Sequence, residues 1–260
     1  MRTALTIAGS DSGGGAGIQA DLKTFAAHAV YGVCAVTAVT VQNTLGVTTI
    51  DPVRTTVVAA QIDAVIADFD VLAIKTGMLA TSGIVAAVCD RLDAYPGVPV
   101  VVDPVLVSTS GHRLLDEQAL ALVRTRLLPR AALLTPNRRE AEVLAGHPIT
   151  TRQHAADAAA RLREMGAAAV VVTGGDQDGP DAVDLLDDGH GVSELRGTKL
   201  DSLATHGTGC TFSAAIAAQL ARGTALGDAV VAAKRYVEAA IDHAHPLGHG
   251  YGPLNHFWNK

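Results

Sequence analysis

Short apolar runs alternate along the chain with longer segments in which apolar residues recur at helical spacing. The runs are rich in Val, Ile, Leu and Ala, which is typical of buried strands. They lie at 4–8, 33–41, 71–74, 98–102, 131–134 and 167–172. Two further runs, at 182–186 and 191–195, flank an Asp-Asp-Gly turn as a hairpin. This alternation predicts a doubly wound, mostly parallel α/β sheet of about eight strands with helices on both faces.

Capping signals mark where some of the helices should begin. Asp51 followed by Pro52 places an N-cap residue before a proline in the first helical position, which predicts a helix start. Thr150 and Gln153 fit a capping box at the start of a later helix. Because folds of this kind reach this length without splitting, and no repeat or low-complexity linker divides the chain, we expect a single domain over residues 1–260.

Composition narrows the function classes. Hydrophobic residues make up 48% of the chain but aromatic residues only 3%, so aliphatic side chains must fill the core. The formal net charge of -6 argues against nucleic acid or an anionic membrane as a partner. No uninterrupted apolar run approaches membrane-spanning length, and three cysteines without metal-type spacing indicate reduced thiols. The sequence therefore predicts a cytoplasmic protein.

A glycine turn at residues 205–212, Thr-His-Gly-Thr-Gly-Cys-Thr-Phe, leads directly into an alanine-rich helical segment. Backbone N–H groups at such a helix start have no intrahelical partner and lie at the positive end of the helix dipole, so the turn predicts an anion site. Cys210 stands inside this turn, where a helix N-terminus lowers the pKa of a thiol and favours a base or a nucleophile. A glycine-rich helix entry with a buried cysteine explains the same residues equally well.

Other candidate binding residues follow the predicted strands. The glycine-rich loop 9–17 lacks the ending of a P-loop and the spacing of a dinucleotide-binding loop, so it either surrounds a substrate or is a surface loop. The amide of Gln42 suits the ring nitrogen and exocyclic amine of a heterocycle. Alternatively, Gln42 is only a turn residue. Met78 either lines a flat apolar ligand or fills the core. Loops 108–112 and 179–191 are candidates to close over a ligand.

Carboxylates follow two more of the predicted strands. Ligands of open α/β sheets bind beyond the carboxyl ends of the strands, so Asp103 could hold Mg²⁺ or face a phosphate, unless it is only a turn residue. Asn137 and Glu140 are three residues apart and share a helix face, so they could orient Mg²⁺, or they could form a solvated helix start. Lys234, in the last helix, is either a surface charge or the partner of an acid such as Asp21.

Taken in order, these segments resemble the hydroxymethylpyrimidine/phosphomethylpyrimidine kinases of thiamin biosynthesis, which have the ribokinase-like fold. The resemblance runs from residue 4 to the tail at 250–257. It rests on Thr6-Ile7-Ala8-Gly9-Ser10-Asp11 with 13–23, Gln42-Asn43-Thr44, Gly77-Met78, Asp103-Pro104-Val105, Thr135-Pro136-Asn137 with Glu140, and 206–211. It implies ATP-dependent, Mg²⁺-assisted phosphorylation of 4-amino-5-hydroxymethyl-2-methylpyrimidine and then of its monophosphate, by a homodimer.

The same resemblance implies a role for individual residues. The substrate would contact Gln42, Gly9, Ala16, Met78, Val105 and Asp21. The nucleotide would contact Asn137, Thr173, Gly174, Thr208 and Lys234. Asp103 and Glu140 would bind Mg²⁺ and, through it, the phosphate. The catalytic set would be Gly207, Thr208, Gly209 and Cys210, in which the turn is an anion hole and the cysteine replaces the Asp base of sugar-kinase relatives.

One position departs from the family pattern. The family usually has Lys-Gly-Gly-His where this chain has Thr173-Gly174-Gly175-Asp176, and that lysine is understood to neutralise charge on the transferring phosphate. Either Arg138, Arg139 or Lys199 replaces this charge, or catalysis is slow. Two alternatives stay open, a pyridoxal kinase of the same fold and a non-catalytic regulator that binds a pyrimidine or a nucleotide.

Overall fold

A computed structural model describes residues 1–106, 115–174 and 181–259 of the chain. Within these residues nine strands form one sheet in the order β3-β2-β1-β4-β5-β6-β7-β8-β9. The strands are β1 Thr3–Asp11, β2 Tyr31–Asn43, β3 Gly46–Pro52, β4 Val71–Thr76, β5 Val100–Val102, β6 Leu133–Leu134, β7 Val170–Val172, β8 Asp181–Asp187 and β9 Val192–Thr198. The loop 108–112 and part of the loop 179–191, which the sequence singles out as possible lids, lie outside the described residues.

The helices lie between the strands in chain order. They are α1 Gly17–Ala27, α2 Thr55–Asp68, α3 Ser82–Ala94, α4 Glu117–Leu122, α5 Arg138–Ala145, α6 Arg152–Glu164, α7 Thr208–Ala221 and α8 Leu226–Asp242. A π-helical turn at Val123–Leu127 and a 3-10 turn at Leu128–Arg130 extend α4. In the part of the chain that the structure describes, no helix combines the length and apolarity needed to cross a membrane.

The sheet is parallel in its centre and antiparallel at both edges. The six central strands pair in parallel with one another, in the order β2-β1-β4-β5-β6-β7. At the edges, β3 pairs antiparallel with β2, β8 with β7, and β9 with β8. The chain places β2 on one side of β1 and β4 on the other, so the strand order reverses at β1. Such a reversal opens a crevice beyond the carboxyl ends of the strands, and ligands of open α/β sheets bind there. The predicted mostly parallel α/β class is confirmed.

Two predicted helix starts are wrong. Asp51 and Pro52 end strand β3, in register with Val39 and Ala38 of β2, and α2 begins only at Thr55. A proline is tolerated there because β3 is an edge strand and Pro52 is its last residue. The cap of α6 is also displaced by one residue, since the hydroxyl of Thr151, and not of Thr150, accepts the N–H of His154.

Hydrophobic layers cover both faces of the sheet. Side chains of β1 alternate between them, because Leu5 and Ile7 pack into the layer with α2 and α3, whereas Ala4 packs into the layer with α1, α7 and α8. Successive strand residues point to opposite faces, so a strand buried on both sides must be apolar throughout. Buried alanines on α7 let this helix lie close to the sheet, which explains how a chain with few aromatic residues fills its core.

Candidate active site

A cavity of about 280 Å³ opens beyond the carboxyl ends of the central strands, between the glycine loop after β1 and the start of α7. It brings together most of the residues that the sequence proposes for binding and catalysis. These are Gly9, Ala16, Gln42, Met78, Asp103, Val105, Asn137, Glu140, Thr173, Gly207, Thr208, Gly209 and Cys210. Parallel strands that end at one edge of the sheet explain why residues so far apart in sequence meet.

Three proposed site residues do not line this cavity: Asp21, Gly174 and Lys234. Lys234 is buried, so it is not the surface charge that was one of its two interpretations, and the acid that it pairs with is not Asp21. Nζ of Lys234 donates instead to Oδ2 of Asp184 at 2.9 Å and to the carbonyl of Ala182 at 3.0 Å. The other carboxylate oxygen of Asp184 accepts the N–H of Gly174 at 2.9 Å. Asp184 thus holds both Gly174 and Lys234 beside the cavity wall.

The start of α7 forms one wall of the cavity. Gly207 has a left-handed backbone with φ of 83°, and an added Cβ would collide with the carbonyl oxygen of Gly15, so only glycine fits. Gly209 and Cys210 follow in the first helical turn, where backbone N–H groups have no partner within the helix. The hydroxyl of Thr208 donates to the carbonyl of Thr205 at 2.6 Å and fixes the turn. This geometry suits an anion.

Cys210 has a different ionisation from the one its sequence position suggests. Burial raises the pKa of the thiol to about 12, and the carboxylates of Asp103 and Asp21 add to this, whereas Lys75 opposes it. The expected lowering of this pKa by the helix N-terminus is therefore wrong in direction. Because the group is a protonated thiol at neutral pH, it can donate a weak hydrogen bond but is not a ready nucleophile.

Lys75 lies beneath the cavity and is fully buried. Its ammonium is 3.0 Å from both carboxylate oxygens of Asp21 and 3.8 Å from Oδ2 of Asp103. Burial alone would lower the pKa of this lysine, but Asp21, Cys210 and Asp103 outweigh it and raise the pKa above its ordinary value. The one sequence signal for this cluster is a lysine near the end of an otherwise apolar strand, β4.

A second polar cluster joins the glycine loop to α7. Asp11 accepts the backbone N–H groups of Gly13 at 2.8 Å, Gly15 at 3.0 Å and Ala16 at 2.8 Å. Its Oδ2 also lies 2.9 Å from Nε2 of His206. Asp11 ends strand β1 and His206 lies within the glycine turn, so both belong to segments that the sequence singles out, but neither was proposed there as a site residue.

His206 also lies close to the proposed ring-binding residue. Nε2 of His206 is 3.2 Å from the amide of Gln42, and the other end of that amide is 3.0 Å from the hydroxyl of Thr40. All three side chains line the cavity. Gln42 is therefore held at both ends and still borders the cavity.

The carboxylates on the opposite wall are Asp103 and Glu140. Glu140 forms a capping box with Asn137, in which each side chain accepts the other residue's backbone N–H at 3.0 Å, and it also accepts the N–H of Leu106 at 3.3 Å. Burial raises the pKa of Asp103, although Lys75 and the hydroxyl of Ser213 oppose this. Asn137 and Glu140 thus shape the helix start as well as the cavity.

The carboxylates of the cavity suit a metal ion only together with a bound ligand. Among the described residues no group of three or more His, Cys, Asp or Glu side chains could hold an ion on its own. Mg²⁺ is usually bound by one or two carboxylates together with phosphate oxygens of a substrate, and Asp103 and Glu140 both line the cavity. The residues therefore fit a Mg²⁺ ion that arrives with a nucleotide.

Thr173, the residue at which the sequence departs from the family pattern, lines the cavity, and its N–H donates to the carbonyl of Pro136 at 2.9 Å. The three cations suggested as substitutes, Arg138, Arg139 and Lys199, do not line it. Within residues 1–106, 115–174 and 181–259, no lysine or arginine lines the cavity at all. The ammonium of Lys75 lies 3.8 Å from Oδ2 of Asp103, which does line the cavity.

Comparisons with known proteins identify the family that this chain is similar to. A family model described as phosphomethylpyrimidine kinase matches residues 11–255. The hydroxymethylpyrimidine/phosphomethylpyrimidine kinase of Synechococcus elongatus is 49% identical over 98% of this chain and 97% of its own length. That of Escherichia coli is 44% identical over 98% of this chain and 97% of its own.

Solved structures give the same fold. An ADP complex of Bacillus subtilis pyridoxal kinase has a TM-score of 0.92 and 39% identity, covering 98% of this chain and 97% of that one. Staphylococcus aureus pyridoxal kinase in complex with AMP-PCP and pyridoxal has a TM-score of 0.91 and 33% identity, covering 100% and 94%. With the family model and the curated relatives, these matches confirm the resemblance seen in the sequence, and the chain belongs to the phosphomethylpyrimidine kinase family.

Proposed function

We propose that this kinase transfers the γ-phosphoryl group of ATP to 4-amino-5-hydroxymethyl-2-methylpyrimidine, and then phosphorylates the monophosphate to the diphosphate, for thiamin biosynthesis. One observation carries the proposal. A single cavity joins an amide that can pair with an aminopyrimidine, Gln42, to a helix start that can bind an anion, Gly207 to Cys210. The named relatives in Synechococcus elongatus and Escherichia coli are kinases of this kind, which supports the assignment.

In this proposal one side of the flat ring faces the glycine loop, which begins at Gly9, and the other side faces Met78 and Val105. Its hydroxymethyl group points toward Cys210 at the start of α7. Phosphoryl transfer depends mostly on positioning and on stabilising charge, so the N–H groups of the first turn of α7 matter more than a base. The thiol of Cys210 orients the acceptor oxygen and does not remove its proton.

Asp103 and Glu140 would hold Mg²⁺ together with the nucleotide phosphates. When bound, the ion neutralises phosphate charge. Asn137 keeps Glu140 in place through the capping box, and Thr173 borders the same part of the cavity. Lys234 and Gly174 would act on the nucleotide only indirectly, because Asp184 holds both.

Pyridoxal is the second candidate substrate. It also presents a hydroxymethyl group on a flat nitrogen ring, and the solved structures with the same fold include pyridoxal kinases bound to ADP or to AMP-PCP and pyridoxal. The non-catalytic regulator is disfavoured, because the named relatives are kinases. The cytoplasmic location predicted from the sequence stays a prediction.

We also propose a homodimer. The hairpin of β2 and β3 forms an edge of the sheet, and on it Val39, Val41 and Leu45 are 50%, 58% and 69% exposed. Apolar side chains exposed together at a sheet edge are typical of a surface that a second copy covers. Light scattering after size exclusion should give a dimer, and Val41→Lys should give a monomer.

A coupled assay of ADP release tests the proposed function. We expect turnover with the aminopyrimidine and with its monophosphate, and kcat/KM for pyridoxal at least tenfold lower than for the aminopyrimidine. Gln42→Leu should raise KM for the aminopyrimidine and leave binding of a non-hydrolysable ATP analogue unchanged. The assignment fails if pyridoxal is the better substrate, or if neither ring stimulates ADP release.

A further inference from the structure

The hydrogen bonds of Asp11 fix where one proton of His206 must lie. Burial raises the pKa of Asp11, but the hydrogen bonds from His206, Ala16 and Gly13 outweigh it and hold the pKa below its ordinary value. An ionised carboxylate only accepts hydrogen bonds. Since Oδ2 of Asp11 lies 2.9 Å from Nε2 of His206, that nitrogen must carry a hydrogen.

This requirement reaches the amide of Gln42. The structure places the amide nitrogen of Gln42 3.2 Å from the same Nε2 of His206, so two N–H donors face each other, which is repulsive. When the amide is turned over, its carbonyl oxygen lies there instead and shares the one hydrogen of His206 with Asp11. The two ends of an amide have nearly the same shape, so the surrounding hydrogen bonds decide which end lies where.

The other end of the amide leads to the same choice. The structure places the amide oxygen 3.0 Å from Oγ1 of Thr40, and this hydroxyl is also 3.1 Å from the carbonyl oxygen of Ser10. A threonine hydroxyl has one hydrogen, so with two acceptors beside it one of them receives no full hydrogen bond. When Thr40 donates to Ser10, it must accept from its second neighbour, so the NH₂ group of Gln42 belongs on the Thr40 side. Both contacts select one orientation.

We propose that Asp11, through His206, and Thr40 lock the Gln42 amide with its oxygen toward His206 and its NH₂ group toward Thr40, and so determine which ring edge the cavity accepts. The inference rests on the proposed function. Gln42 lines the cavity, so its free lone pair and second N–H form a fixed acceptor–donor pair there. A ring nitrogen beside an exocyclic amine complements this pair. A 4-oxo ring presents the opposite pattern, with N–H beside oxygen, and would need the amide turned over.

The pair of ligands that tests this lock is 4-amino-5-hydroxymethyl-2-methylpyrimidine and its 4-oxo analogue, which differ only in that edge. Calorimetry on the full-length protein gives the dissociation constant of each, and their ratio measures discrimination. Thr40→Val keeps the shape of the side chain but removes its hydroxyl, so the amide can turn. We expect the ratio to fall by roughly tenfold, the value of one hydrogen bond of about 1.4 kcal/mol. His206→Phe, which removes the other contact, should lower the ratio as well.

Two controls separate the lock from a general effect on structure. Thr40→Ser restores the hydroxyl and should restore the ratio. Thr48→Val makes the same exchange one strand away, where the hydroxyl donates to the carbonyl of Val41 and does not line the cavity, and should leave the ratio unchanged. The lock is wrong if the wild type prefers the 4-amino ring and both Thr40→Val and His206→Phe keep the wild-type ratio of dissociation constants. That result would leave the proposed function standing. If wild-type protein binds neither pyrimidine, the proposed function itself fails.

Discussion

Nζ of Lys75 lies 3.0 Å from both carboxylate oxygens of Asp21, and neither side chain has any exposed surface. Removing one partner of a buried ion pair leaves an uncompensated charge in the interior. We therefore expect Lys75→Met to lower the free energy of unfolding by about 3–5 kcal/mol. Urea denaturation of the variant and the wild type at pH 7 measures this difference.

The matched controls for this pair are a double variant and a surface pair. Lys75→Met with Asp21→Leu removes both charges, and should recover part of the loss because apolar residues can replace a buried ion pair at little cost, although Asp103 still loses its neighbouring cation. Arg161→Met breaks an exposed pair with Glu164 and should cost less than about 1 kcal/mol. A Lys75→Met protein as stable as the wild type would show that the pair contributes nothing to folding.

His256 makes stability depend on pH. It is buried, with Nε2 3.1 Å from the hydroxyl of Thr211, and burial, helped by the charge of Lys23, lowers its pKa from 6.5 to about 4. The unfolded chain then binds a proton more readily than the folded one between these values. The contribution of His256 is fully present above pH 6.5 and is lost as the pH falls toward 4, up to about 3 kcal/mol.

Urea denaturation between pH 7 and pH 4 tests this effect. His256→Gln should flatten the dependence of unfolding free energy on pH across that window, because glutamine does not titrate. The exposed His245→Gln should keep the wild-type dependence. Parallel curves for His256→Gln and the wild type would contradict the assignment.

The sequence predicts the fold where strands are long apolar runs, and fails where a local signal has two meanings. Asp51 followed by Pro52 occurs at helix starts, but the same dipeptide can end an edge strand. Only the pairing of β3 with β2 decides between them, and this pairing is a contact that no local window contains. The strand order around β1 likewise follows from packing and not from any single segment.

The site is predictable to the extent that its residues stand at strand ends. Asp103 and Gln42 meet in one cavity because parallel strands end at a common edge. Lys75 and Asp21 are 54 residues apart in sequence, and their contact depends on β4 lying beside β1. No local sequence motif therefore predicts this pair. The pKa of Cys210 also needs the three-dimensional structure, because burial and distant carboxylates outweigh the local helix effect.

Cys210→Ala tests whether the thiol is a base. With a pKa of about 12 the group stays protonated through neutral pH, so its loss removes one positioning contact. We expect kcat for the hydroxymethylpyrimidine to fall by roughly tenfold, less than the hundred- to ten-thousandfold that a general base contributes. Nucleotide binding, measured by calorimetry with a non-hydrolysable ATP analogue, should not change.

The pH profile gives a second test of Cys210. Wild-type kcat between pH 6.5 and 9.5 should show no ionisation that Cys210→Ala removes, because the thiol does not titrate in that range. Because a thiol that only positions the acceptor removes no proton, the substitution should slow phosphorylation of the monophosphate, whose acceptor is already largely ionised, about as much as the first step. An alkaline rise in the wild type that disappears in Cys210→Ala would restore the cysteine as a base.

Thr173→Lys tests whether the site lacks a positive charge. Thr173 lines the cavity, and none of the lysines or arginines in the described residues does. A lysine there would add charge stabilisation to the transferring phosphate that a hydroxyl cannot supply, so we expect kcat to rise by about tenfold or more with an unchanged KM for the pyrimidine. Thr48→Lys adds the same charge at an exposed position outside the cavity and should change neither constant. No gain from Thr173→Lys in a protein of normal melting temperature would mean that the charge is already supplied.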